Sequence, residues 1–189
     1  MSTQPQTYLT PEEYLAIERE AEYKSEYIDG VMYAMSGASF WHNVVVANLI
    51  TELVQQLRGR PCRALPSDIK VRMPDSRKFF YPDVSVVCGE PQFHDKRTDV
   101  ILNPTLIIEV LSESTAGFDR GEKFQAYQQL PSLQEYLLVS QDKICVEQYV
   151  RQERERWTYV ATVGLESSLT LPSIECTLSL KAVYDKIEL

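Results

Sequence analysis

The seven residues "TLIIEVL" at positions 105–111 form a short apolar run that a single acid, Glu109, interrupts. Runs of this length and composition are typical of interior strands that are covered on both faces. An ionised carboxylate in such a strand is costly unless a hydrogen-bond network, a cation or a metal pairs with it. The stretch therefore predicts a buried strand in an α/β protein and a specific use for Glu109.

A second acid stands in a similar position, because Asp83 follows Pro82 inside the strand-like stretch "FFYPDVSVV" at 79–87. Neighbouring strands could bring both carboxylates together, and such like charges repel unless a cation lies between them. A hard divalent metal bound by two carboxylates and several waters suits a site of this kind. Alternatively, each acid caps a loop or pairs with an arginine, and both interpretations stay open at this point.

The segment "DRGEKFQAYQQL" at 119–130 supplies a lysine on a helical stripe of core-facing residues. Lys123, Tyr127 and Leu130 are spaced i, i+4 and i+7, so they share one helix face. A lysine there normally points to solvent, but a helix packed on the sheet would direct Lys123 toward the two acids. Two carboxylates, a metal and an ammonium form a hydrolytic set. A structural lysine–carboxylate pair is the alternative.

The other predicted elements place this core in one domain. "LTPEEYL" predicts a helix with Thr10 as N-cap and Glu13 closing a capping box, and "EYIDGVMYAMS" predicts a hairpin. A second capping box, Asp119 with Glu122, predicts a helix that ends near Leu130. The remaining predictions are a helix over 39–58, a strand at "DIKVRM", a strand at "EYLLVS", a hairpin of "KICVEQYV" with "WTYVATV", and a helix at 179–187. The order predicts an α/β (α+β) fold with a mixed sheet flanked by helices, in a single domain over 1–189 with its core at about 39–140.

Composition narrows the class of protein. The chain has 189 residues, of which 44% are hydrophobic and 24% are charged, as in an ordinary soluble globular domain. No apolar run is long enough for a membrane span, and the first residues carry no signal-peptide pattern, so a cytoplasmic location is expected. The four cysteines are far apart and contain no CxxC pair, so four free thiols are expected.

The charge is unevenly distributed. A net charge of −8 argues against a protein that coats nucleic acid by bulk attraction. The basic segment 58–78 nevertheless holds seven basic side chains against Asp68 and Asp75. It could be a phosphate-facing patch or simply a solvated strand face and loop. The candidate phosphate-binding residues are Lys70, Arg72, Arg77 and Lys78.

Three stretches, "YPDVSVV", "LIIEVLSEST" and "DRGEKFQAYQQLPSLQEYLLV", resemble the Uma-two family of bacterial restriction endonucleases, within the PD-(D/E)XK nuclease superfamily. "EYIDGVMYAMSGASFWHN" resembles the amino-terminal block of that family, so the likeness covers roughly 8–160. The resemblance implies a restriction-endonuclease-like core of order αβββαβ, with an N-terminal helix–hairpin extension and a C-terminal β-hairpin. It also implies an Mg²⁺- or Mn²⁺-dependent endonuclease that acts on DNA.

Carried over onto this sequence, the resemblance makes Asp83 the first motif acid and Glu109 the second, both as metal ligands. The motif lysine belongs two residues after the second acid, where this chain has Leu111. The resemblance implies that Lys123 replaces it. Glu26 matches a position where the family usually has glutamate, which makes it either an accessory acid beside the metal or a hairpin residue paired with a lysine.

Two further expectations concern His42 and the partners. His42 shares a helix face with Val46 and Leu49, which favours a hydrogen-bonded core or cleft histidine over a catalytic one. The expected partner is DNA, with no membrane, while RNA or a damaged-DNA structure stays open as the substrate. A homodimer formed through the apolar residues of the C-terminal hairpin also stays open. The rival hypothesis is a non-catalytic module that binds nucleic acid or protein on an inactivated nuclease scaffold.

Overall fold

The computed structural model describes residues 8–74, 77–153 and 155–188, and it contains two principal sheets. The helices are α1 (Pro11–Glu18), α2 (Phe40–Leu57), α3 (Ala116–Phe118), α4 (Phe124–Tyr127) and α5 (Leu180–Val183). The strands are β1 (Ser25–Ile28), β2 (Val31–Ala34), β3 (Cys62–Pro66), β4 (Lys70–Arg72), β5 (Lys78–Phe80), β6 (Val84–Cys88), β7 (Val100–Ile101), β8 (Leu106–Leu111), β9 (Glu135–Ser140), β10 (Cys145–Glu153), β11 (Arg156–Val163), β12 (Ser168–Leu171) and β13 (Cys176–Ser179). A π-helical turn, Asp119–Lys123, joins α3 to α4, and the three pieces are called the composite helix (116–127).

The main sheet has six strands in the order β11-β10-β9-β8-β6-β3, and only the β8–β9 pair is parallel among its pairings. All six residues of β8 are buried, as expected for an interior strand. Leu106, Ile108 and Val110 pack with the buried face of α2. Ile107 and Leu111 pack with the composite helix. Because side chains alternate along a strand, Glu109 faces the composite helix.

The second sheet has five strands in the order β2-β1-β5-β4-β7. The stretch "FFYPDVSVV" is divided between the two sheets, since Phe79 and Phe80 belong to β5 whereas Val84 begins β6. "DIKVRM" forms β4 of the second sheet, and the first core strand is β3 instead. The main sheet therefore keeps the predicted order αβββαβ with a different first strand, and the predicted mixed α+β class is confirmed.

The N-terminal extension follows its local sequence signals. Thr10 and Glu13 form the reciprocal capping box of α1. Ile28 pairs with Val31 across the turn of the β1–β2 hairpin, where Asp29 has φ 48° and Gly30 has φ 102°. Positive φ at both turn residues is the geometry that an Asp-Gly turn favours. Both predictions are confirmed.

The second predicted capping box is wrong. The composite helix begins at Ala116, and the backbone of Asp119 is already helical. The N–H of Asp119 donates to the carbonyl of Thr115, and its side chain is buried rather than capping a helix end. At the other end of the chain, β10 and β11 extend the main sheet as a hairpin, and the β12–β13 hairpin was not predicted.

The expectation of four free thiols is also wrong. A disulfide joins Cys62 to Cys88, which lie directly opposite each other in the antiparallel pair of β3 and β6. Twenty-six positions separate these cysteines in sequence, so only strand pairing makes them neighbours. Cys145 and Cys176 are free and buried. No helix in the described parts of the chain is long and apolar enough to cross a membrane.

Candidate active site

Glu109 lies in the middle of β8 with only 3% of its surface exposed. One of its carboxylate oxygens, Oε1, lies 3.0 Å from the ammonium nitrogen of Lys123. The hydroxyl of Tyr127 donates a hydrogen bond to the same oxygen at 2.9 Å. The acid that interrupts the apolar strand therefore has two partners, both on the composite helix.

Lys123 points inward from the π-helical turn and is 5% exposed. Besides Glu109, its ammonium lies 3.1 Å from Oε1 of Glu26 and 3.7 Å from Oδ1 of Asp119. Glu26 comes from β1, so this lysine connects the second sheet to the main sheet. π-Helical turns occur frequently at functional sites.

Asp83 lies in the connection between β5 and β6, beside the same cluster. Its Oδ2 accepts a hydrogen bond from the backbone N–H of Val110 at 2.7 Å. Its Oδ1 lies 3.0 Å from Nε2 of His42, on the first turn of α2. Because Val110 follows Glu109 directly, the hydrogen bond holds Asp83 next to the second acid. His42 is hydrogen-bonded to Asp83 and largely buried, as expected, whereas its role stays a prediction.

Acidic groups outnumber basic ones in this cluster, which contains Glu26, Asp83, Glu109 and Asp119 around Lys123 and His42. Burial raises the pKa of Glu109 well above its ordinary value; Lys123 opposes this, and Asp119, Asp83 and Glu26 add to it. Burial likewise raises the pKa of Asp119. Burial alone would lower the pKa of Lys123, but the carboxylates of Glu109, Glu26 and Asp119 raise it overall. The site thus keeps its lysine protonated and retains an excess of acid that favours a further proton or cation.

The donor set fits a hard divalent cation. Asp83 and Glu109 offer carboxylate oxygens, and Oε2 of Glu109 accepts no hydrogen bond from any residue that the structure describes. Within residues 8–74, 77–153 and 155–188, no group of three or more His, Cys, Asp or Glu side chains has a metal-binding arrangement. Mg²⁺ commonly binds through only one or two carboxylates and keeps several waters, so a pair of carboxylates is enough for a hard divalent cation.

The four predicted phosphate-binding residues have partners inside the protein. Lys70 is 5% exposed, and its ammonium lies 3.2 Å from Asp99 and 3.1 Å from the hydroxyl of Tyr81. Arg72 lies 2.9 Å from Nδ1 of His94. The burial of Lys70 argues against a direct phosphate contact at that position.

Arg77 and Lys78 are also engaged. Arg77 donates to the carbonyl of Leu9, and Lys78 lies 3.8 Å from Asp29. None of the four basic residues contacts Asp83, Glu109 or Lys123 in the described structure. Asp75, which belongs to the basic segment 58–78, lies outside the described residues.

Two residues of the cluster were not identified from the sequence as parts of the site. Asp119 was interpreted as an N-cap, although its spacing of four residues from Lys123 would place the two on one helix face. Tyr127 was interpreted as a core residue on the Lys123 stripe. Its hydroxyl contact with Glu109 depends on how the composite helix packs on β8, which the stripe alone does not determine.

This mixed α+β fold, with its acids at the contact of two core strands, is of the restriction-endonuclease-like class. A crystal structure of "a putative nuclease belonging to DUF820" from Anabaena variabilis has the same fold. Its TM-score is 0.77 over 95% of this chain and 99% of that chain, at 18% sequence identity.

The chain belongs to the Uma2 family, described as "Putative restriction endonuclease", which matches residues 11–182. Two proteins of Synechocystis sp. are similar to it along most of their length. "Uncharacterized protein sll1609" is 40% identical over 156 residues, which cover 82% of this chain and 88% of the relative. "Uncharacterized protein slr1290" is 38% identical over 176 residues, which cover 93% of this chain and 91% of the relative.

Proposed function

We propose that this protein is a metal-dependent endonuclease that hydrolyses phosphodiester bonds in DNA, with Mg²⁺ or Mn²⁺ as its cofactor. The observation that carries the proposal is that Lys123 contacts Glu109 and that Asp83 is held beside the same strand position. Lys123 lies 3.0 Å from Glu109, and Asp83 is hydrogen-bonded to the residue that follows Glu109. In this proposal Asp83, Glu109 and Lys123 would supply the two acids and the ammonium that the resemblance implies, with Lys123 replacing a lysine at the position of Leu111.

Each residue has a distinct role in this proposal. Asp83 and Glu109 would hold the cation, which when bound polarises a phosphoryl oxygen and lowers the pKa of water. The raised pKa of Lys123 keeps its ammonium charged, so it can stabilise the negative charge that develops on the phosphoryl group or orient the attacking water. Glu26 would position that ammonium, and His42 would position Asp83.

Three basic residues of the segment 58–78 would contact the DNA phosphates. Arg72, Arg77 and Lys78 remain candidates for phosphate contacts, provided that DNA displaces their present partners. Each contact of that kind would make binding weaker as salt concentration rises. Lys70 is not included, because its ammonium is buried against Asp99.

The direct test is nicking of supercoiled DNA by the purified protein with Mg²⁺ or Mn²⁺. Asp83→Ala and Glu109→Ala should each abolish nicking, because each removes one of the two carboxylates that would hold the cation. Glu166→Ala is a matched control, since this exposed acid pairs only with Lys181 among the described residues. Activity that survives both site substitutions would exclude the assignment.

A second candidate function is a non-catalytic module that binds nucleic acid or protein. The observation that favours it is the close pairing of Lys123 with Glu26 and Glu109, which resembles a structural ion-pair network. Calorimetric titration with Mn²⁺ separates the two candidates, because an inactivated scaffold should show no metal binding that depends on Asp83 and Glu109.

We also propose that the protein forms a homodimer and acts in the cytoplasm. β11 is an edge strand of the main sheet and exposes Tyr159, Val160 and Val163, so a second copy could pair with it. Sedimentation equilibrium of the wild type and of Val160→Lys tests the dimer, and cell fractionation tests the location. A protein that is monomeric at all concentrations would contradict the proposed homodimer.

A further inference from the structure

Tyr127 is a fully buried tyrosine whose hydroxyl is used for one contact. The residue is 0% exposed, and its hydroxyl donates to Oε1 of Glu109 at 2.9 Å. Its ring packs against Phe80 and Tyr136, with ring centroids 5.5 and 5.6 Å away. Phenylalanine could supply the same ring packing, and a buried hydroxyl is costly unless it is hydrogen-bonded. The hydrogen bond to Glu109, rather than the ring packing, therefore accounts for a tyrosine instead of a phenylalanine at this position.

The contact distinguishes the two oxygens of the Glu109 carboxylate. Tyr127 and Lys123 both approach Oε1, whereas Oε2 has no donor among the residues that the structure describes. Lys123 cannot fix the carboxylate by itself, because its ammonium is a rotatable point charge that also lies near Glu26 and Asp119. Among the described contacts, the Tyr127 hydroxyl is the donor that serves Glu109 alone.

We infer that Tyr127 is a positioning residue that holds Glu109 so that Oε2 is presented to a divalent cation. The inference rests on the proposed function, which makes Glu109 a metal ligand. Hydrogen-bonded partners of metal-binding carboxylates fix the orientation of the ligand, and their loss commonly weakens metal affinity by about 10- to 100-fold. Tyr127 would act through Glu109 without touching the substrate.

The test is a calorimetric titration of Tyr127→Phe with Mn²⁺ in the absence of DNA. Affinity should fall about 10-fold or more, because Glu109 loses its fixed orientation while the ring packing is kept. Tyr184→Phe is the matched control, since Tyr184 is also buried but, among the residues that the structure describes, its hydroxyl bonds only to the backbone of Ser140 and Cys145. Its Mn²⁺ affinity should equal that of the wild type.

The dependence of DNA nicking on Mn²⁺ concentration gives a second readout, which distinguishes a positioning role from a merely structural one. In Tyr127→Phe, nicking should be slow at limiting Mn²⁺ and should return to nearly the wild-type rate at saturating Mn²⁺. A general loss of folded protein would instead lower the rate at every Mn²⁺ concentration. Rates that do not recover at saturating Mn²⁺ would therefore argue against a positioning role.

The outcomes separate this inference from the proposed function. Equal Mn²⁺ affinity in wild type and Tyr127→Phe, or equal losses in Tyr127→Phe and Tyr184→Phe, would overturn only the role of Tyr127. A wild-type protein that binds no Mn²⁺ would overturn both. Should Tyr127→Phe not fold, NMR of wild-type protein labelled at the tyrosine ζ-carbon provides the test. Mg²⁺ should shift the Tyr127 signal and leave that of Tyr184 in place, and an unmoved Tyr127 signal would overturn the inference.

Discussion

The main sheet and the second sheet both bury charged side chains, but they balance those charges differently. In the second sheet, Lys70 pairs with Asp99, and Asp99 also accepts a two-point contact from Arg19. On the main sheet, the composite-helix residue Lys123 lies among Glu109 of β8, Asp119 and Glu26, which β1 of the second sheet contributes. Balanced burial is what a structural network requires, whereas an uncompensated excess of acid is typical of a functional site.

The pKa directions express the same contrast. The Asp99 carboxyl has its pKa lowered to about 2, chiefly by its hydrogen bonds with Arg19. The Glu109 carboxyl has its pKa raised, chiefly by burial. Asp99 is therefore held in its charged form by its partners. The charged form of Glu109 is instead unfavourable, and a bound cation would stabilise it.

The largest expected effect is on catalysis. Glu109→Gln keeps the shape of the side chain and removes its charge, so nicking should fall by at least about 100-fold if the charged form binds the cation. Asp99→Asn should leave nicking per folded molecule unchanged. A supercoiled-plasmid assay on both variants checks this, and equal losses would remove the distinction between the two sheets.

The second effect is the pH dependence of metal affinity. Because the cation would bind the charged form of Glu109 and the pKa of Glu109 is raised, Mn²⁺ affinity should decline as pH falls, beginning above the ordinary glutamate pKa of 4.5. The decline should approach about tenfold per pH unit, the limit for one displaced proton. Calorimetry at several pH values measures it, and a flat profile down to pH 4.5 would contradict the raised pKa.

The third effect is on stability and concerns the second sheet. Asp99→Asn leaves the buried Lys70 with a weakened partner, so the free energy of unfolding at neutral pH should fall by about 2 to 3 kcal/mol. Because the folded pKa of Asp99 is depressed to about 2, its stabilisation is present above the ordinary pKa of 3.8 and is lost as pH falls toward 2.

Denaturant unfolding of the wild type and Asp99→Asn at neutral and acid pH checks this expectation. The difference between the two proteins should shrink as pH approaches 2. Asp99 of the wild type then becomes protonated and loses its charge, as in the asparagine variant. A difference that stays constant with pH would mean that the charge of Asp99 is not what stabilises the second sheet.

The smallest expected effect is on the stability contribution of an exposed ion pair, which gives a baseline for the buried pairs of both sheets. Lys181 and Glu166 form an exposed ion pair at 3.5 Å, away from either network. Lys181→Ala should change the free energy of unfolding by no more than about 0.5 kcal/mol, as is usual for exposed pairs. Thermal unfolding at low and moderate salt measures it. A change as large as that of Asp99→Asn would show that burial does not determine how much an ion pair contributes to the free energy of unfolding.

The sequence by itself determined the features that depend on neighbouring residues. The capping box of α1 and the Asp29-Gly30 turn follow from side-chain and backbone preferences within a few positions. The apolar pattern of β8 made it an interior strand, and the charge of Glu109 within that pattern required a partner. These features were predictable because the determining residues are adjacent in the chain.

Only the tertiary structure decided which distant residues meet. It divided "FFYPDVSVV" between two sheets, joined Cys62 to Cys88 and enclosed the basic Lys70 in a balanced network. It also brought Asp119 and Tyr127 to the cluster around Lys123 and Glu109. Such contacts depend on strand order and on the packing of a helix against a sheet. Short stretches of sequence specify neither, because the free energy that selects them comes from burial across the whole domain.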